Sequence, residues 1–171
     1  MDIMYYIDKG GVIMYILLAL NIIGFTIMIV KFIQYMLAKS KTNSIVNEVY
    51  NGISKSDLEI QSALSKDMLA EKMVHYERGL STVRIIASIA PLLGLLGTVV
   101  GVLGAFEAIS KQGLGDPSIF ASGISLALIT TVGGLIVAIP HYIGYNYLIG
   151  MLDRIEVSVG KEMSYKIYKG K

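Results

Sequence analysis

The chain has 171 residues, of which 54% are hydrophobic and 16% charged, with a mean hydropathy of +0.62 and a formal net charge of +2. That much apolar surface cannot be buried in one water-soluble core of this size, which implies a polytopic membrane protein, and the small net charge carries no nucleic-acid footprint. The absence of Cys excludes disulfides, thiolate chemistry and cysteine-ligated metals, and without Trp the interfacial anchoring falls to the 11 Tyr, several of them near the ends of apolar runs.

In chain order, a short start with Asp2, Asp8 and Lys9 leads into the uncharged run Gly10 to Val30, a first span. The positive residues Lys31, Lys39 and Lys41 follow the apolar run, the reverse of a secretory signal, so the run reads as a retained anchor. By the positive-inside rule the N-terminus lies outside and residue 31 onward in the cytoplasm. Asn21 and Thr26, the polar residues of this span, are expected to make local backbone or interhelical bonds.

Residues Lys31 to Arg84 carry eight Lys and Arg against six Asp and Glu, the composition of a soluble segment. Ile45, Val46, Val49, Tyr50 and Ile53 form a short helical stripe. Asn51 and Gly52, followed by Ser54, Ser56 and Asp57, predict a break and a new helix start. Leu69, Met73, Tyr76, Leu80 and Val83 then step by four, three, four and three, and the register continues into Ala87, Ala90 and Gly94. This predicts one uninterrupted helix from Leu69 to Ala108, in which Gly79 weakens the helix without ending it.

Between Arg84 and Glu107 lie 22 residues without a charge, about 33 Å of helix, which matches a bilayer core. Within this second span Ala87, Ala90, Gly94, Gly97, Gly101, Gly104 and Ala108 recur at spacings of three and four, a seam of nearly bare backbone on one face. Helices in lipid associate through close approach along such seams, so Ala90, Gly94, Gly97, Gly101 and Gly104 are expected to pack an oligomer. Pro91 frees the carbonyl of Ala87 and predicts a kink. A short loop at Lys111 to Pro117, poor in positive charge, belongs outside.

From Pro117 to Leu152 run 36 residues with no Asp, Glu, Lys or Arg, too many for the bilayer alone, so the third span is expected to project into the cytoplasm. Gly123, Ala127, Thr131, Gly134, Ala138 and His141 form a second small seam, of which Ala127, Gly134 and Ala138 join the packing set. Pro140 predicts a second kink. Leu148, Leu152, Ile155 and Val159 continue an apolar stripe into a C-terminal helix rich in lysine, with the C-terminus inside.

Thr98 and Thr131 are the residues whose hydroxyls either bond back to a carbonyl one turn earlier or face a wet cavity, with Thr130 a neighbouring competitor for Thr131. His141 is a candidate for proton handling, but its place near the headgroup level favours snorkelling to the interface. Catalytic residues, cofactors and metal sites are not expected. The glycines of the second span lack the strand a phosphate loop needs, His75 and His141 are too far apart in sequence to suggest a shared metal, and Glu71, His75 and Glu77 read as a solvated helix face.

The run Ala90-Pro91-Leu92-Leu93-Gly94-Leu95-Leu96-Gly97-Thr98-Val99-Val100-Gly101 is followed by Gly123-Ile124, by Leu128-Ile129-Thr130-Thr131-Val132-Gly133-Gly134-Leu135 and by Ala138-Ile139-Pro140. Together these resemble the MotA/TolQ/ExbB proton-channel family, nearest to ExbB and then TolQ. The resemblance implies a homopentamer in the bacterial inner membrane, surrounding the single-span helices of an ExbD-like or TolR-like partner. Proton flow would then drive movement passed to a TonB-like or TolA-like protein, with Thr98 and Thr131 at the family's pore-lining positions. At Leu126 the ExbB and TolQ pattern usually carries a glutamate, which removes one proton-handling group from this chain. A partner must therefore supply the titrating acid, expected to be an Asp.

The expected architecture is all-α with three transmembrane helices, N-out and C-in. It comprises an N-terminal periplasmic segment and first transmembrane helix over 1–40, a cytoplasmic helical segment over 41–84, a pore-forming hairpin over 85–152 and a C-terminal cytoplasmic helix over 153–171. A solute transporter is the weaker alternative, because no internal repeat or broken helix pair marks a substrate site. A non-conducting scaffold, in which the seams only pack, is the other.

Overall fold

The computed structural model describes residues 3–40, 42–53, 58–113 and 117–169. Among them the chain forms α1 (Ile3–Lys9), α2 (Gly11–Ser40), α3 (Thr42–Ile53), α4 (Leu58–Glu77), α5 (Leu80–Gln112) and α6 (Pro117–Lys169). Three stretches, Gly11–Ser40, Leu80–Lys111 and Phe120–Lys169, are long and apolar enough to cross a membrane, so the chain is an all-α, multi-pass membrane protein. Part of the loop expected at Lys111 to Pro117 lies outside the described residues. So do the helix start expected at Ser54, Ser56 and Asp57 and the charges Asp2, Lys41, Asp116 and Lys171.

The chain divides into two compact units, the first made of Met1–Thr26 with Thr82–Gly144. Here α1, which the sequence did not announce, ends where the Gly10 N–H meets the Tyr6 carbonyl at 3.0 Å. Gly11, at φ +62°, then turns the chain into α2, a backbone angle that favours glycine. Leu17 of α2, Ile86 and Ala90 of α5, and Val137 and Ala138 of α6 form the buried core, joined by Ile13, Met14, Leu20 and Leu93. Pro91 and Pro140 both lie inside helices that continue past them. Gly113, at φ +77°, closes α5 with its N–H on the Ile109 carbonyl. As expected, the Thr26 hydroxyl returns to its own helix, donating to the Ile22 carbonyl at 2.8 Å.

The second unit comprises Ile27–Ser81 and Tyr145–Lys171. Its core takes Ile45, Val46 and Val49 from α3, Met73 from α4, and Leu148, Leu152, Ile155, Val159, Met163 and Ile167 from α6. All of these but Met163 and Ile167 belong to the apolar stripes legible in the sequence. In the same unit Tyr35, fully buried, donates its hydroxyl to the Tyr76 carbonyl at 2.8 Å, and the Lys31 ammonium donates to the same oxygen at 3.0 Å.

That clamp marks a correction. The helix expected to run unbroken from Leu69 to Ala108 is interrupted: α4 ends at Glu77 and α5 begins at Leu80. Gly79 sits at φ +91°, which ends the α4 helix, and the carbonyl of Tyr76, freed at that terminus, is taken by Lys31 and Tyr35. The hydrophobic register survives the break because Met73, Leu80 and Val83 are all buried.

Candidate functional site

The site grows out of the glycines that let α5 and α6 approach. A β-carbon placed on Gly94 would lie 2.9 Å from the Thr130 carbonyl oxygen and 3.1 Å from the Thr131 Cα. One placed on Gly134 would lie 2.6 Å from the Ala90 carbonyl oxygen. Farther along, Gly101 meets the backbone of Gly123 and Ala127, and Gly123 meets Ala105. The seam assigned to packing between copies is thus engaged within the chain, joining α5 to α6, with Ala90, Ala127 and Ala138 all buried. Gly104 differs, because among the described residues a β-carbon there would meet nothing within 4 Å.

This approach brings Thr98 and Thr131 together. Their hydroxyl oxygens are 2.5 Å apart, and either can donate to the other. Thr98 Oγ1 also lies 3.3 Å from the Gly94 and Ala127 carbonyl oxygens, and Thr131 Oγ1 3.4 Å from that of Gly94. Two hydroxyl protons therefore face two carbonyl oxygens and each other's hydroxyl oxygen. Either Thr98 donates to Thr131 and Thr131 to Gly94, or Thr131 donates to Thr98 and Thr98 to Gly94 or Ala127. Of the two, Thr98 lies within reach of the Gly94 carbonyl one turn earlier, whereas Thr131 reaches across to the other helix, and both side chains are half-buried. The direction of the hydroxyl–hydroxyl bond can reverse without moving a heavy atom.

Thr130 has a different setting. It is 1% exposed, donates to Ala127 and Leu126 carbonyls of its own helix at 2.9 and 3.2 Å, and fills the space over Gly97. It packs the hairpin, whereas Thr131 makes the cross-helix contact. Leu126 is half-buried and borders a groove of about 660 Å³ with Lys9, Gly101, Gly104 and Ser122.

His141 overturns an expectation. Instead of snorkelling it is fully buried, its ring edge-on to Phe25 with centroids 5.0 Å apart. Nδ1 lies 2.7 Å from the Val137 carbonyl oxygen, and among the described residues Nε2 has no hydrogen-bond partner. The signal that could have revealed this is Gly24 in the first span: a β-carbon there would fall 2.0 Å from Nε2, so only glycine leaves room for the ring. Phe25, the other α2 residue against the ring, carries no sequence signal that distinguishes it from a lipid-facing aromatic.

The model of the MotA/TolQ/ExbB proton channel family matches residues 27–160. The chain is 32% identical over 177 aligned residues to a biopolymer transport protein ExbB homolog of Methanothermobacter thermautotrophicus, covering 85% of this chain and 62% of that protein. It is 34% identical over 98 residues to biopolymer transport protein exbB1 of Vibrio cholerae, covering 57% and 43%. It is 37% identical over 97 residues to biopolymer transport protein ExbB of Aquifex aeolicus, covering 57% and 64%. The chain thus spans less than two thirds of the length of each of these relatives.

Proposed function

Because the chain belongs to the MotA/TolQ/ExbB proton channel family, with its similarity running to ExbB proteins, we propose that it is an ExbB-like subunit of a proton-driven motor in the bacterial inner membrane. In this reading it is a channel component and not an enzyme. Copies assemble as a homopentamer around the single transmembrane helices of an ExbD-like or TolR-like partner, with lipid outside. The motion is passed to a TonB-like protein that energises outer-membrane import, or in a TolQ-like version to a protein serving envelope maintenance. Lys31 and Lys39 after the first span fit an N-out, C-in arrangement. Since the glycine seam is used inside the hairpin, the exposed apolar residues of α5, such as Leu92, Leu95, Val99 and Leu103, are the surfaces left for neighbouring copies or lipid.

A proton crossing hydrocarbon needs a group that can change charge, and no Asp or Glu stands between Arg84 and Glu107 or from Pro117 to Leu152. The partner's Asp carries the proton in this reading, and the threonine hydroxyls hydrogen-bond that carboxyl or its water and set its access. The observation that carries the reading is the reversible Thr98–Thr131 bond, half-buried and bordered by backbone carbonyls. The same bond also suits a non-conducting scaffold, because the two hydroxyls satisfy each other. Reconstitution with an ExbD-like partner in liposomes, with proton flux followed by an internal pH dye, separates the two. The motor reading expects flux that falls to background when both threonines become Val while the complex still co-purifies. Absent flux from the intact complex, or unchanged flux in the double variant, refutes it.

A further inference from the structure

Nothing in the hairpin's hydroxyl pair involves His141, yet this ring is fully buried and has one nitrogen without a partner among the described residues. A carbonyl oxygen only accepts, so the nitrogen 2.7 Å from the Val137 oxygen, Nδ1, carries the proton. Nε2 is left as a bare acceptor. What the neighbouring helices present to the ring is the Gly24 backbone and the Phe25 ring from α2, with the Ile86 side chain of α5 also packed at Gly24. The Phe25 ring and the Ile86 side chain offer no oxygen or nitrogen acceptor and carry no charge, and no hydrogen bond joins Nε2 to the Gly24 backbone among the described residues.

Ionisable groups lie elsewhere on each element. On α5 Arg84 is exposed and two residues from Ile86, hence on the far side of that helix. On α2 the next charged residue is Lys31, two helical turns beyond Gly24, and it is engaged by Gln34 and the Tyr76 carbonyl. On α6 Tyr142 is adjacent in sequence and exposed, and Tyr145 lies one turn on.

We propose that His141 is a proton-operated latch, holding α2 against α6 while its ring is neutral and releasing it when Nε2 takes up a proton. The neutral ring fits its recess with its one N–H satisfied. The doubly protonated ring would place a positive charge and a second N–H donor, without a partner among the described residues, in this apolar recess, an arrangement relieved by moving the ring to water or lipid headgroups. Moving the ring withdraws the surface on which Gly24 rests. The latch is a property of the chain by itself and does not depend on the proton-channel reading.

The test uses the full-length chain in lipid nanodiscs. Amide hydrogen exchange is read by mass spectrometry at about pH 8 and about pH 5, with times rescaled for the intrinsic pH dependence of exchange. Exchange of the imidazole C2 hydrogen in the same samples follows ring protonation, with His75, which is exposed, as the internal standard. Peptides around Gly24 and His141 should exchange roughly ten-fold faster at the lower pH, while those of α3 keep their rate. Gly24→Ala, which drives the ring from its recess, should show the fast rate at both pH values, and His141→Leu the slow rate at both. Unchanged protection while the ring titrates, a ring still neutral at the lower pH, a pH response that persists in His141→Leu, or full protection in Gly24→Ala at the higher pH would each overturn the latch. Should His141→Leu fail to insert, the wild-type chain and Gly24→Ala decide the matter without it.

Discussion

Thr98 and Thr131 stand 33 positions apart in sequence, yet their hydroxyl oxygens are 2.5 Å apart, and both also lie within reach of the Gly94 carbonyl. The shared acceptor is available because Gly94 offers no side chain to hold α6 away. The hydroxyls are thus a product of the seam and not an independent feature.

A double-mutant cycle measures that dependence. Thr98→Val and Thr131→Val each keep shape and remove one hydroxyl, and in lipid such hydrogen bonds are worth about 0.6 kcal/mol and up to roughly 1.7. The expected outcome is a coupling energy in that range for reversible unfolding in detergent micelles, because one hydroxyl cannot replace the pair. Strictly additive single effects would mean that the short contact carries no energy of its own.

The two glycines Gly97 and Gly104 lie on one sequence stripe but have opposite surroundings. A β-carbon on Gly97 would fall 2.3 Å from Thr130 Oγ1 and 2.4 Å from its Cβ, whereas Gly104 faces open space. Gly97→Ala should therefore destabilise the hairpin by about 1–3 kcal/mol through overpacking. Gly104→Ala should be neutral or stabilise the helix by up to about 1 kcal/mol, since alanine is the better helix former. Thermal melting of the two variants in the same detergent reads the contrast directly.

The stripes of α3, α4 and α6 were legible in the sequence because burial in the second unit follows the 3.6-residue period without interruption: Val49, Met73, Leu152 and Val159 are where the pattern puts them. The threonines were legible as positions through the family-like pattern, but their mutual bond was not, since helix period gives faces and not partners. The break before Leu80 escaped because the apolar register continues across Gly79, and one glycine in a helical pattern does not announce a positive φ. The burial of His141 escaped for a related reason: a depth count along one helix says nothing of a facing glycine on another.

At that break, Gly79→Ala puts a β-carbon on a backbone at φ +91°, with Ile27 Cγ2 at 3.5 Å, and should cost about 1 kcal/mol or more from the backbone angle. Tyr35→Phe removes the hydroxyl from the Tyr76 carbonyl but leaves Lys31 bonded to it, so a smaller loss of about 0.5–1.5 kcal/mol is expected. Faster amide exchange in both variants should be confined to the end of α4 and the start of α5. Exchange spread evenly over the chain in either variant would count against a local origin of its effect at this break.

Adjacent threonines offer the closest control for the hydroxyl pair. Thr130→Val removes a hydroxyl that bonds only its own helix, at Ala127 and Leu126, and keeps the volume that fills the space over Gly97. Thr131→Val removes the hydroxyl that reaches Thr98. Both changes should leave the hairpin folded, with a stability loss under about 2 kcal/mol each. Reconstituted with an ExbD-like partner, Thr130→Val should retain proton flux close to the unaltered chain, while Thr131→Val should lose most of it. Proteoliposome flux measured side by side, at matched protein density, checks this. Equal flux in the two variants would separate transport from the cross-helix bond altogether, because the variants differ in which helix the lost hydroxyl served.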